Sequence, residues 1–150
     1  MASLRTATLF ATLIGGAVTA TPVHASGPAL TVAAYRTKAN LVCANEQHET
    51  SVTVGQTTKL AQYLTAELPV IRYTLASLKR LEPPATLASL HSQVVATVSG
   101  ELTLFVSLAA QAKAGELTFA QFEANRQLKQ LDKRELDLWK RIGAGVCAFP

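Results

Sequence analysis

The longest regular pattern in the chain runs from Pro84 to Gly115. Apolar residues fall at Leu87, Leu90, Val94, Val98, Phe105, Leu108 and Ala112, steps of three and four that line one face of a helix turning ~100° per residue. At 1.5 Å per residue such a helix spans roughly 40–45 Å, and its apolar stripe needs other long helices to cover it. The rest of the chain supplies them. Val32, Tyr35, Ala39, Val42 and Cys43 share a face in the first helical stretch, and Leu60, Leu64, Leu68, Ile71, Leu75 and Leu78 in the second. Leu128, Leu131, Leu138 and Trp139 do so in the last. The pattern predicts an all-α fold, an antiparallel up-down-up-down four-helix bundle with helices at about 30–50, 57–81, 84–113 and 118–142.

Local signals set the boundaries. The β-branched stretch from Thr50 to Gln56 around Gly55 reads as a loop, and Thr57 or Thr58 can cap the second helix. Pro69 lies inside that helix, where it removes a donor and crowds the carbonyl of Thr65, so a kink is expected there. Glu82-Pro83-Pro84 ends the helix and Pro84 opens the next. Gly115 suits a left-handed cap. Thr118 to Gln121 matches a capping box, with Leu117 and Phe122 as its hydrophobic staple.

The N-terminus changes the compartment. Arg5, the apolar run Leu9–Ala20 and Val23-His24-Ala25 form a secretory signal pattern, giving a signal peptide at 1–25 and a single domain at 26–150. Leu9–Ala20 is short for a bilayer span, and the later run Leu102–Ala112 is also short and follows Glu101, so no transmembrane segment is expected in the mature chain. Without Arg5, thirteen basic residues face ten acidic ones. That mild excess is scattered and lacks stacking aromatics, which argues against nucleic-acid binding. In an exported chain, the pair Cys43 and Cys147 reads as a disulfide, with free thiols or a soft-metal pair as alternatives. Geometry sets a condition on it. The residues after Gly143 can climb only about 14 Å, so either the first helix sits low or the tail folds back along it.

Candidate chemistry is sparse. Each helix carries a glutamate within its apolar stripe: Glu46, Glu67, Glu101 and Glu135. Carboxylates there are costly unless paired. They can be ordinary edge positions, partners of Arg36, Arg72 or Arg126, or a metal site of Glu67, Glu101 and Glu135. A bundle di-metal site would add Glu-x-x-His motifs, and the chain has none. By helix rise Glu67 and Glu101 come out level, Glu135 deeper and Glu46 nearer the opposite end. His91, flanked by Ser89 and Ser92, lacks the geometry of a catalytic base and reads as a half-buried polar residue. No nucleophile elbow, phosphate loop or dinucleotide fingerprint is present, so no enzyme activity and no cofactor is implied.

Tyr35-Arg36, Ala39-Asn40 and Cys43, then Leu78, Leu81 and Pro83-Pro84 before the helix of His91, and a Gly143 to Cys147 ending form a layout. It resembles a loose group of small exported bacterial helical proteins without assigned activity. The resemblance implies a fold and a compartment but no reaction. The expected function is a secreted or periplasmic, non-enzymatic binding or structural protein of the cell envelope, with a protein or small-molecule partner. The alternative is a carboxylate-lined bundle that binds a metal or cationic ligand.

Overall fold

A computed structural model of the chain describes residues 30–148. The expected signal peptide lies outside the described residues. Within them the fold is all-helical. The elements are α1 (Val32–Gln56), α2 (Leu60–Lys79), a 3-10 turn (Ala85–Leu87), α3 (Ala88–Lys113), α4 (Phe119–Glu123) and α5 (Arg126–Ile142).

Two boundaries differ from those the sequence predicts. The first helix does not stop near Thr50 but continues to Gln56. Its β-branched end is held by hydroxyls that donate to carbonyls a turn earlier: Ser51 to His48 (2.7 Å), Thr53 to Glu49 (3.0 Å) and Thr57 to Thr53 (2.9 Å). Thr57 therefore closes α1 instead of opening α2, whose N-cap is Lys59 with no side-chain cap. The expected last helix is also divided. Asn125 turns its side chain back to accept from the Leu128 amide at 3.0 Å and starts α5 afresh, leaving α4 as a short separate turn. The capping box at Thr118 and Gln121 forms as the sequence indicates.

Pro69 lies within one continuous α2. It and Thr65 are both exposed, so the carbonyl deprived of its partner faces water. Buried positions follow the stripes: Tyr35 and Ala39, then Leu64, Ile71 and Leu78, then Val94, Val98 and Phe105, then Leu138, Trp139 and Ile142. The stretch Ala85–Lys113 is long and apolar enough, by length and composition, to cross a membrane. Here it packs against both α2 and α5.

α1 packs on α2, α2 on α3 and α3 on α5. The fourth side, between α1 and α5, has no comparable helix contact and is closed by the C-terminal tail. Gly143 caps α5 in the left-handed conformation at φ 79°. From there the chain runs back along α1, the second of the two ways of meeting the disulfide's geometric condition. The Arg36 Nε donates to the Ile142 carbonyl (2.7 Å), favourable for a cation at a helix C-terminus. Asn40 accepts from the Val146 amide (3.0 Å), and Cys43 is disulfide-bonded to Cys147. Gln47 donates to the Val146 carbonyl (3.1 Å). Positions 36, 40, 43 and 47 form one helical stripe, so a single face of α1 receives the chain from Ile142 to Cys147.

Candidate functional site

Between the helices lies a cleft of about 610 Å3. α1 contributes Cys43, Glu46, Gln47 and Thr50 to its walls; α2 contributes Tyr63, Glu67 and Ile71; α3 contributes Glu101 and Phe105. Phe122 of α4, Leu128, Asp132, Lys133, Glu135, Leu136 and Trp139 of α5, and Cys147 of the tail complete it. The structure thus brings together all four stripe glutamates that the sequence singles out. Their position follows from the helix patterns. Glu67 stands where Leu64 and Ile71 require an inward residue, and Glu101 stands likewise between Val98 and Phe105.

Glu46 is displaced from where the sequence places it. Because α1 continues through Thr50–Gln56, the turn into α2 comes six residues later, a shift of roughly 9 Å along the helix. That brings Glu46 from the far end to the level of Glu67. Its carboxyl now feels both Glu135 and Glu67.

The acidic groups are not neutralised by cations. Among the described residues the ion pair formed is Lys133 with Asp137 at 3.0 Å, on the exposed face of α5. Lys133 borders the cleft but sends its ammonium outward. The expected arginine partners are elsewhere: Arg36 holds the tail, and Arg72 and Arg126 are exposed. The glutamates instead rely on neutral donors and on protons. Thr50 donates to Glu67 Oε2 at 2.9 Å, and Trp139 Nε1 donates to Glu135 Oε1 at 2.8 Å. Burial, reinforced by the charges of Glu135 and Glu67, pushes the Glu46 carboxyl up to about 8, and the nearby Thr74 hydroxyl offsets only part of the rise. Glu101 is driven up strongly by burial first and then by the neighbouring Glu135 carboxyl. Burial also raises Glu67, against Thr50 and Thr53, and raises Asp132, with Glu135 adding to it. Tyr63 rises to about 12 through burial and the charges of Glu67 and Asp132. At neutral pH Glu46 and Glu101 therefore keep their protons.

Two buried polar atoms stay unsatisfied. Glu67 is 4% exposed, yet its Oε1 has no hydrogen-bond partner. The Thr53 hydroxyl nearby has one proton and gives it to the Glu49 carbonyl. The Thr74 hydroxyl, beside Glu46, lies beyond regular hydrogen-bond reach of any partner. Native proteins rarely leave such groups empty-handed away from functional sites.

Aromatic rings complete one wall. Phe122 meets Tyr63 and Phe105 edge-to-face, at centroid distances of 6.0 and 6.1 Å. Trp139, hydrogen-bonded to Glu135, belongs to the same lining. In the sequence Tyr63 and Trp139 read as core or rim residues, and nothing in the residue pattern points to Asp132, Phe105, Phe122, Thr50 or Thr74 as parts of a site. Only the four-residue step from Glu135 to Trp139 carries a local signal for this wall.

Among the described residues no three His, Cys, Asp or Glu side chains are grouped so as to hold a metal ion. Glu67, Glu101 and Glu135 share the cleft without forming a ligand set. His91 lies apart. It is buried, shares a 2.9 Å hydrogen bond with Tyr35 and meets that ring edge-to-face. Ser92 donates to the Ala88 carbonyl and Ser89 accepts from Gln93, so no nucleophile attends His91. No protein-family model, curated protein or solved structure matches the chain.

Proposed function

We propose that the protein is an exported, non-enzymatic binding protein of the cell envelope whose carboxylate-lined cleft takes up a small cationic molecule. The single observation that carries this reading is the convergence of one glutamate from each of four long helices on one cleft, with a buried Glu67 oxygen left without a partner. A cation entering there meets acceptors already desolvated and positioned, which strengthens the attraction relative to water. Aromatic side chains beside the carboxylates, Phe105 and Phe122 among them, suit the apolar body of an organic cation.

In the same proposal the fold is an up-down-up-down bundle bent at Pro69, with α4 and α5 together forming the fourth rod. α3 is then its central helix and not a bilayer span, since Glu101 lies within its packed face. The leader 1–25 is removed on export to the periplasm or beyond, where the Cys43–Cys147 bond is stable. This layout agrees with the likeness to small exported bacterial helical proteins that its helix ends and cysteine pair carry.

Trp139 is the only tryptophan in the chain and lines the cleft, so its fluorescence reports occupancy directly. Titration with n-butylammonium, 1,4-diaminobutane and spermidine is expected to change that emission, and neutral 1-butanol is not. The reading fails if no ammonium salt outdoes the alcohol. Native mass spectrometry of the protein from its own compartment checks leader cleavage, disulfide and retained small molecules together.

A further inference from the structure

The arrangement of the acids constrains the cation further; this step rests on the binding reading above. The carboxyls form a series of two parts across the bundle. Glu46 on α1, Glu135 on α5 and Glu101 on α3 act on one another, and Glu67 on α2 stands at the other end, within reach of Glu46. No three of them close around a common point as a metal ion requires. The surface beside them is apolar, with Ile71 and Phe105 among the lining side chains. At one end of the series stands Glu67 Oε1, shielded from solvent on a residue only 4% exposed and lacking any hydrogen-bond partner.

We propose that the cleft binds a linear aliphatic diamine or polyamine. One ammonium donates to Glu67 Oε1, a second is held by the Glu46, Glu135 and Glu101 group, and the methylenes between lie on the apolar wall. A point cation satisfies one end of this series and leaves the other carboxyls desolvated and uncompensated. A chain with two charges answers both. An ammonium carries three donors and no acceptor, which matches a site offering carboxylate oxygens and, among the lining side chains, only Lys133 as a competing cation, itself held by Asp137.

Binding also exchanges protons. The ionisable groups facing the cleft are Glu46 from α1, Tyr63 and Glu67 from α2, Glu101 from α3, and Asp132, Lys133 and Glu135 from α5. Those of them that hold protons before binding release them to the buffer as an ammonium takes the protons' place against the carboxylate oxygens. The complex thus has fewer protons than its parts, and affinity rises with pH until the amine itself deprotonates.

Calorimetry of the disulfide-intact protein near neutral pH, in two buffers of different ionisation heat, tests this with 1,4-diaminobutane, n-butylammonium and calcium chloride. The diamine is expected to bind at least about tenfold more tightly than the monoamine, as one added charged hydrogen bond gives, with net proton release. Glu67→Gln keeps the shape of the side chain and should bring the diamine down toward the monoamine's affinity. Equal binding of monoamine and diamine, an unchanged diamine affinity in Glu67→Gln, or displacement of the diamine by calcium would overturn the inference while leaving a cation site standing. Absence of binding by any ammonium would remove the cation reading along with it. The ligand series needs no variant, so a folding defect in Glu67→Gln leaves the test decisive.

Discussion

Two places in this molecule bury polar side chains, and they do it in opposite ways. Where α1 and α3 begin, Tyr35 and His91 are sunk into the core at 0% and 8% exposure and answer each other across 2.9 Å. Burial moves both away from charge: Tyr35 up to about 12 and His91 downward. The pair is neutral and has a partner. At the other end Glu67 is buried as deeply, in a cleft that four other acidic side chains line, with one oxygen unanswered. The first arrangement specifies packing; the second costs stability and is explained by something that enters from outside. Burial alone therefore does not separate scaffold from site. Satisfaction of the buried group does.

The largest test of that contrast is removal of the disulfide, because both of its cysteines line the cleft. The bond spans 104 residues, for which loop closure alone gives as much as ~4.7 kcal/mol. Cys43→Ser with Cys147→Ser is expected to lose about 2–4 kcal/mol in urea denaturation. Amides lining the cleft, at Thr50 and Trp139, should exchange faster in the reduced protein, while those beside Tyr35 and His91 keep their protection. Uniform loss of protection would show that the two ends are not independent.

Next in size is the response to pH. The Glu46 carboxyl is raised from 4.5 to about 8, so the folded state holds a proton that the unfolded chain has released. The stability this proton confers is fully present below about pH 4.5 and disappears as pH climbs through about 8. Glu101 and Glu67 act in the same direction. His91 acts oppositely, since its lowered value costs stability as pH falls below about 6.5. Melting temperature should therefore decline from about pH 6.5 to about pH 8. Glu46→Gln is expected to flatten the decline and gain about 2 kcal/mol near its upper end. A melting temperature that rises across this interval would contradict the protonated cleft.

Much of this was legible in the residue pattern, and the failures have physical causes. The apolar stripes located the core because each helix buries one face, and the glutamates stood out as charged residues in those stripes. That Glu46 joins the others was hidden by Thr50–Gln56, where β-branching argues for a loop. Hydroxyl bonds to the preceding turn, and the Thr50 bond to Glu67, override that propensity, and such tertiary partners have no local signature. Asn125 breaks the last helix by a capping bond that competes with a continuous apolar stripe. The tail's return along α1 needed Arg36, Asn40 and Gln47 to be read as one face, which only the position of the tail makes apparent.

A smaller effect probes the satisfied pair itself. Tyr35→Phe removes one hydroxyl and leaves His91 Nδ1 buried without its partner, a loss expected at about 1–3 kcal/mol. Chemical denaturation measures it, and the His91 imidazole should titrate closer to its ordinary value by NMR if water enters to replace the hydroxyl. A loss below measurement would mean that the pair is as replaceable as a surface contact, and the distinction between the two ends would lose its firmer half.

The smallest test lies beside the cleft, at Gly100, next to Glu101 in the middle of α3. Glycine inside a helix costs roughly 0.5–1 kcal/mol relative to alanine, and a close neighbour would justify it. A Cβ at this position would meet the Leu131 methyl at 3.5 Å, an ordinary contact that the end of a leucine accommodates. Gly100→Ala should then stabilise the protein by about 0.5–1 kcal/mol, with diamine affinity unchanged, as read by denaturation and by Trp139 fluorescence. Gly143 gives the opposite result for the same substitution. Its φ of 79°, and an Arg36 guanidinium that would stand 3.0 Å from the new methyl, make alanine a strain on the cap that Arg36 secures. If Gly100→Ala were instead destabilising, α3 and α5 would have to approach more closely than the 3.5 Å contact allows, and the wall carrying Glu101 and Glu135 would be set by glycine packing.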